Sequence, residues 1–79
     1  MKSRTYLRLG DKVMHLRFSS WGTGEVIEEK KSSLPGGLCL VRILFEDGVE
    51  RSFINNFDNE MCCYYTGIRI IEEFSIWDS

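Results

Sequence analysis

The sequence predicts a small all-β domain, a strongly bent barrel of five strands, and three observations support this prediction. Two short candidate strands are joined by a turn containing Gly22 and Gly24, where a tight turn or bulge favours a residue without a Cβ atom. The stretch 38–46 is rich in branched apolar side chains and is the strongest strand signal in the chain. The Asp47-Gly48 pair that follows it is typical of a hairpin turn.

The five strands are predicted in order along the chain. In the first, at about 12–18, Val13 and His15 alternate with Met14 and Leu16, so both faces carry bulky side chains. The remaining strands are expected at about 24–31, 38–46, 49–54 and 67–71. No segment shows the long apolar periodicity of a helix.

The hairpin between the third and fourth strands has two candidate registers. A two-residue turn would pair Glu46 with Val49, whereas a three-residue loop with Gly48 as a bulge would pair Phe45 with Val49. The bulged register gathers an apolar face: Val41, Ile43, Phe45, Val49 and Phe53. Because a slip of one residue turns a whole face over, burial favours the bulged register. Arg51 then lies opposite Ile43 on the apolar face and must reach the mouth of the barrel.

Three segments fall outside the strands. The stretch 32–37 is the clearest loop, since it holds the one proline of the chain. The Asn- and Asp-rich stretch 55–61 predicts a single helical turn or an irregular loop. Residues 72–79 are expected to form a short C-terminal extension. The chain is therefore interpreted as one domain, 1–79, with a barrel core at about 10–71.

Composition and charge limit the classes of protein that fit. Of the 79 residues 43% are hydrophobic, a composition that favours folding over disorder. No apolar run approaches the length of a membrane span and no secretory signal is evident, so a soluble cytoplasmic protein is expected. The net charge of −2 is uneven: residues 1–17 are basic and 55–79 are acidic. Three interpretations stay open: a bipolar surface for a partner, a charge distribution that keeps a small barrel soluble, or a pairing of the two ends with each other.

The first strand pair resembles a known family. Its pattern of Gly, Asp, Val, His, an aromatic residue and two spaced glycines is met here by the following residues: Gly10, Asp11, Val13, His15, Trp21, Gly22, Gly24 and Val26. This pattern is similar to the SH3-like or Tudor-like barrel at the C-terminus of UvrD/PcrA-type DNA-repair helicases and in small stand-alone relatives. The interval from His15 to Trp21 is longer than usual, and residues 18–20 resemble an insertion. The similarity covers roughly 10–54.

The resemblance implies a non-enzymatic module that docks onto proteins of the transcription or DNA-repair apparatus, with RNA polymerase or a repair helicase as the expected partner. It transfers no set of binding residues, because the matching positions are of the kind that shape turns and fill a core. Since one fold hosts many functions, this expectation is an analogy.

Aromatic side chains are the best candidates for a partner-binding surface. Barrels of this kind hold peptides or cations against aromatic walls. The predicted aromatic surface consists of Trp21, Tyr64, Tyr65 and Trp77. The alternative interpretation is that these side chains fill the core. An exposed strand edge would extend the surface and would also allow a homodimer.

The alternative function is nucleic-acid binding. The basic N-terminal segment would supply the phosphate contacts, through Lys2, Arg4, Arg8, Lys12 and Arg17. A sequence pI near 5.3 argues against strong non-specific binding.

A metal or thiol site is a third hypothesis. His15 with Cys39, Cys62 and Cys63 would supply four zinc ligands. However, there is no Cys-x-x-Cys pair, and adjacent cysteines in a strand point to opposite faces. The sequence therefore predicts reduced, buried thiols, a hydrogen-bonded His15 at the barrel rim, and no cofactor, metal or catalytic residue.

Overall fold

A computed structural model describes residues 4–32, 34 and 37–71 as one curled antiparallel sheet. The strands are β1 (Lys12–His15), β2 (Gly24–Lys30), β3 (Leu40–Phe45), β4 (Glu50–Ile54) and β5 (Ile68–Ile70). They lie in the order β4-β3-β2-β1-β5, and a single short α-helix, α1 (Cys63–Thr66), occurs in the part of the chain described. This confirms the predicted all-β class and the small five-stranded, barrel-like sheet.

The β3–β4 hairpin has the bulged register. Val41 pairs with Phe53 and Ile43 with Arg51. The amide of Phe45 donates to the carbonyl of Val49 at 3.2 Å, and Gly48 closes the turn with φ 84°. The register follows from burial, because it places Val41, Ile43 and Phe45, all 2% exposed or less, on the inner face.

Two features of β2, a bulge and a buried glycine, accompany the curl of the sheet. A bulge interrupts the β2–β3 pairing between Val26 and Glu28, and a bulge bends the strand that carries it. Gly24 is paired with both Val13 and Phe45 and is buried. A Cβ at this position would lie 2.6 Å from Ile43 Cγ2. The backbones can therefore approach closely here only because residue 24 has no side chain.

The end of β4 and the residues that follow it are bridged by other parts of the chain, a region that we call the seam. Thr5 pairs with Asn56, and Ile54 pairs with Cys62, each through an isolated bridge. Asn55 is buried and its amide group forms two hydrogen bonds with the backbone of Leu7: Oδ1 accepts the N–H at 2.8 Å and Nδ2 donates to the C=O at 2.9 Å. The N-terminal segment is thereby fixed across the seam, and Leu7 joins the core.

The structure ends the first strand earlier than predicted and places a short helix after the 55–61 loop. Strand β1 ends at His15 rather than at about residue 18, because the His15 ring accepts the amides of Arg17 and Phe18 and turns the chain into a 3-10 helix at Ser19–Trp21. Of the two alternatives expected for 55–61, the structure shows the irregular loop. A short helix follows it at α1, so Cys62 and Cys63 precede and begin a helix and are not in a strand. In 55–61 the side chains of Asn55 and Asn56 bond to distant backbone, at Leu7 and Cys39.

Some predictions fall on other parts of the chain. The C-terminal extension 72–79, with Trp77, and Lys2 lie outside the described residues. Within the described residues, no helix has the length and apolar character needed to cross a bilayer.

The structure explains how Arg51 is accommodated on the inner face of β4. Its guanidinium carbon lies 3.7 Å from the centroid of the Trp21 ring, and Nη2 is 2.9 Å from Asp47 Oδ2. The guanidinium hydrogen bond holds the pKa of the Asp47 carboxyl below its usual value. The charge is thus stacked on one side chain and paired with another, as the position at the barrel mouth requires.

Replacing Arg51 with alanine is expected to lower the free energy of unfolding by about 1–2 kcal/mol, because the stacked cation and the aliphatic stem that covers Trp21 are both lost. Chemical denaturation measures the change. Arg42→Ala is the matched control, since Arg42, itself exposed, pairs with Glu28 and Glu50 at the surface, and we expect it to cost about 1 kcal/mol or less. Equal losses in the two variants would contradict the assigned role of Arg51.

Candidate interaction surface

The aromatic side chains form two clusters. The Trp21 cluster consists of His15, Phe18, Trp21, Phe45 and Phe53. The seam cluster consists of Tyr6, Phe57, Tyr64 and Tyr65. Among the described residues, no ring contact joins the two clusters. The structure thus brings Tyr64 and Tyr65 together and places Trp21 elsewhere.

The Trp21 ring is enclosed by its neighbours. Phe18 stacks on it with centroids 4.7 Å apart, Phe45 meets it edge-on at 5.1 Å, and the Arg51 guanidinium covers it. The backbone carbonyl of Trp21 also accepts a hydrogen bond from the Asp47 amide. Trp21 therefore connects the 3-10 helix to the β3–β4 turn, and of this cluster Phe18 is the aromatic side chain most open to solvent, at 44%.

The seam cluster lies where the N-terminal segment, the 55–62 loop and α1 meet. Tyr6 is central: its ring contacts Tyr64 at 5.1 Å and Phe57 at 5.3 Å, and its hydroxyl accepts the amide of Ile70 at 3.1 Å. Burial raises the pKa of the Tyr6 hydroxyl. The Tyr65 hydroxyl donates to the carbonyl of Phe57 at 2.9 Å, while 56% of the Tyr65 residue stays exposed. Tyr65 is thus a fixed, exposed ring on a packed aromatic base.

Two arginines extend the seam cluster. The guanidinium carbon of Arg69 lies 4.1 Å from the Tyr64 centroid, and its Nη1 donates to the carbonyls of Tyr64 and Ile68. Arg4 lies 5.7 Å from the Phe57 centroid. We call the combined set the seam surface; it comprises Arg4, Tyr6, Phe57, Tyr64, Tyr65 and Arg69. Sequence reasoning did not predict Tyr6 and Arg69 as members, because their positions depend on contacts between distant parts of the chain.

The predicted basic set is distributed over several elements. Arg4 belongs to the seam surface, Lys12 begins β1 opposite Glu25, and Arg17 follows β1 beside His15. Arg8 is next to a turn in which its amide donates to Asp11. These side chains are exposed, but their contacts do not place them on one common element.

An open groove of about 470 Å³ lies on another part of the surface, and its lining includes Lys12, Glu25, Leu44 and Glu46. One carboxylate oxygen of Glu46 already accepts the amide of Thr23 at 3.0 Å. The lining mixes a cation with two carboxylates around Leu44, so its charges do not select one kind of ligand.

His15 is buried and uses its ring to hold the backbone. Nδ1 accepts the amides of Arg17 at 3.1 Å and of Phe18 at 3.2 Å, which requires the neutral tautomer with the proton on Nε2. Burial, and secondarily the charge of Arg17, lower the pKa of His15. The expected hydrogen-bonding role is present, although the ring is 3% exposed and not at an open rim.

The free energy of unfolding is expected to decrease as the pH falls from 7 to 5. The unfolded chain takes up a proton at His15 near its ordinary pKa of 6.5, whereas the folded chain does so at lower pH, so in this window the unfolded state binds more protons. Denaturation at a series of pH values measures the slope. His15 is the one histidine of the chain. His15→Gln is therefore expected to reduce the dependence of the unfolding free energy on pH between pH 5 and 7. An unchanged slope in that variant would contradict the assignment of this pH dependence to His15.

The three cysteines are buried free thiols in the structure. Burial, reinforced by the neighbouring Cys62, raises the pKa of the Cys63 thiol to about 12. A thiol with such a pKa is protonated at neutral pH and is a poor nucleophile and metal ligand. Within the described ranges, His, Cys, Asp and Glu side chains form no group of three or more able to hold a metal ion.

Comparison with models of protein families, with curated proteins and with solved structures finds no match for this chain.

Proposed function

We propose that this chain is a non-enzymatic protein-interaction module that binds a partner protein through the seam surface. The observation that carries the proposal is the exposed ring of Tyr65, held by its hydroxyl on Phe57 and packed edge-on against Tyr64 at 5.6 Å. Tyr and Arg are enriched among the residues that dominate binding energy at interfaces. A ring that is ordered before binding loses little conformational entropy when a partner covers it.

The buried polar groups support a binding role over catalysis. His15 already accepts two backbone amides, and the thiols of Cys62 and Cys63 are fully buried. A catalytic cysteine or histidine needs access to substrate and a group that activates it. In this proposal His15, Cys62 and Cys63 serve the fold, His15 by holding the backbone and the two cysteines by filling the core.

The resemblance of 10–54 to the barrels of UvrD/PcrA-type helicases suggests the class of partner, a protein of the transcription or repair machinery such as RNA polymerase or a helicase. The curled five-stranded sheet is compatible with an SH3-like barrel. The glycines and Trp21 that carry the resemblance shape the turn and pack against Arg51, so this suggestion about the partner rests on analogy.

Single-stranded nucleic acid is the second candidate ligand. One observation favours it: Arg4, a member of the basic N-terminal segment, lies beside the Phe57 ring within the seam surface. A base that stacks on Tyr65 with its phosphate near Arg4 would use the same surface. Mobility shifts with single-stranded DNA and RNA over a salt series test this candidate, since phosphate contacts weaken steeply with salt.

The proposed function predicts that Tyr65→Ala weakens the complex with a partner protein about tenfold or more. A partner is first identified by affinity purification with the wild-type chain, and its dissociation constant is then measured with purified proteins. Leu44→Ala is the matched control, because Leu44 is also exposed, at 40%, but lies in the groove lining away from the seam. Equal affinities of wild type and Tyr65→Ala would overturn the proposal.

A further inference from the structure

We propose that the segment bound by the seam surface is an acidic peptide, one in which carboxylate side chains alternate with aromatic or large apolar side chains. This inference rests on the proposed function and adds the chemistry of the partner. It derives from the partners of the arginines on the strands: within the described residues, Arg42 and Arg51 have carboxylate partners and Arg69 has aromatic and backbone partners instead.

Arg42 on β3 and Arg51 on β4 already have carboxylate partners. Arg42 is paired with Glu28 and with Glu50, the latter at 3.4 Å, and Arg51 is paired with Asp47. In the part of the chain that the structure describes, no carboxylate lies within 4.0 Å of the guanidinium of Arg4 or Arg69. Both of these guanidiniums lie next to aromatic rings instead.

Arg69 is positioned before any ligand binds. Two backbone carbonyls hold its Nη1, at 2.6 Å from Tyr64 O and 2.9 Å from Ile68 O, and the Tyr64 ring lies beneath it. Its other nitrogens, Nε and Nη2, keep donors that make no further hydrogen bond within the described residues. A planar guanidinium held in this way is suited to a bidentate carboxylate and loses little side-chain entropy on binding.

Two acidic residues of the loop that contains Phe57 do not use these donors, and Glu72 and Glu73, which follow Arg69 in sequence, lie outside the described residues. Asp58 and Glu60 belong to the same loop as Phe57, are exposed, and form no ion pair with either arginine. They lower the net positive charge of this region, so the selectivity has to come from the guanidiniums of Arg69, which backbone carbonyls hold in place, and Arg4, which lies beside Phe57, and not from a broad basic field. The preference is therefore for a short segment with a few well-placed carboxylates over a polyanion.

The aromatic base determines the remaining character of the ligand. Tyr65 is more than half exposed, and Tyr6, Phe57 and Tyr64 are half-buried around it. An aromatic or large apolar side chain that covers Tyr65 would gain edge-to-face contacts and remove apolar surface from water. A peptide in which such side chains stand between carboxylates matches a surface on which Arg4 lies beside the Phe57 ring and Arg69 lies over the Tyr64 ring.

The test is fluorescence anisotropy with the full chain and a labelled synthetic octapeptide in which four aspartates flank two phenylalanines. The comparison peptide carries asparagines in place of the aspartates and is otherwise identical. We expect the acidic peptide to bind about tenfold more tightly than the asparagine peptide, a difference of about 1.4 kcal/mol. Binding of neither peptide, or equal binding of both, would overturn the inference.

Matched arginine variants locate the interaction. Arg69→Lys and Arg4→Lys keep the charge but remove the planar donor pair, so each is expected to reduce the preference for the acidic peptide. Arg42→Lys is the control and is expected to leave it unchanged. Because the Arg69 side chain also donates to two backbone carbonyls, the stability of Arg69→Lys is first checked by denaturation. Arg4→Lys tests the same preference at an arginine whose side chain makes no such backbone hydrogen bond within the described residues. An equal effect of Arg42→Lys would contradict the inference.

Two other occupants of the seam surface, a single-stranded oligonucleotide and a second copy of the chain, would give different experimental results. A single-stranded oligonucleotide that displaces the acidic peptide and binds more tightly at the same salt concentration would make the surface a nucleic-acid site. A homodimer in light scattering that dissociates in Tyr65→Ala would make the occupant a second copy. Either result overturns the inference. A protein partner that is lost in Tyr65→Ala but retained in Arg4→Lys and Arg69→Lys would leave the proposed function intact and refute only the acidic specificity.

Discussion

Asn55→Ala is expected to lower the free energy of unfolding by about 2–4 kcal/mol. The Asn55 amide is 1% exposed and satisfies both the N–H and the C=O of Leu7. Its removal leaves two buried backbone groups without partners, each at a cost of about 1–3 kcal/mol unless water reaches them. A loss of this size is a large part of the stability of a small domain.

The Asn55 prediction is checked by chemical denaturation. Asn59→Ala is the matched control, because the Asn59 side chain accepts the nearby amide of Met61 in an exposed turn, and a cost of about 1 kcal/mol or less is expected. Asn55→Asp separates volume from hydrogen bonding. It preserves the shape but cannot donate to the Leu7 carbonyl when ionised, so it should be destabilised as well. A neutral effect of both Asn55 variants would show that the N-terminal segment is not held as described.

Gly24→Ala is expected to cost about 1–3 kcal/mol, the range typical of an added methyl group in a packed core. The new Cβ would lie 2.6 Å from Ile43 Cγ2 and 2.9 Å from the Phe45 ring. Both of these side chains are buried and cannot move without disturbing the centre of the sheet. The substitution therefore forces β2 away from β3 at the point where the sheet curls.

Thermal or chemical denaturation of Gly24→Ala measures this cost directly. The neighbouring Glu25→Ala is the control, because Glu25 is exposed, and a change within about 0.5 kcal/mol is expected. If Gly24→Ala is as stable as the wild type, the close approach of the two strands at this glycine is not a requirement of the fold.

The hairpin was predictable from sequence because its determinants are local. A strongly apolar β3, a turn containing Gly48 and the period-two burial of Val41, Ile43 and Phe45 favour one register, although Val49, which was expected on the same face, stays 46% exposed at the turn. The same argument predicted that Arg51 would lie on the inner face. The sequence did not show what receives its charge, since Trp21 and Asp47 lie in different turns.

The seam was not predictable, because its determinants are long-range. Asn55 and Asn56 are typical turn residues in sequence, yet their side chains bond to the backbone of Leu7 and Cys39. The aromatic surface was predicted from residue type alone. The structure packs Tyr64 and Tyr65 together with Tyr6 from the N-terminal segment and places Trp21 in the other cluster.

Nuclear Overhauser effects between side chains of the seam test most directly whether the N-terminal segment closes the sheet and builds the aromatic surface. We expect contacts between the Tyr6 ring and the rings of Tyr64 and Phe57, whose centroids are 5.1 Å and 5.3 Å away, and between the Leu7 amide and the Asn55 side chain. The internal reference is the Hα–Hα contact of the cross-strand pair Arg42 and Ser52. A spectrum with the reference contact but without the Tyr6 and Leu7 contacts would contradict the account.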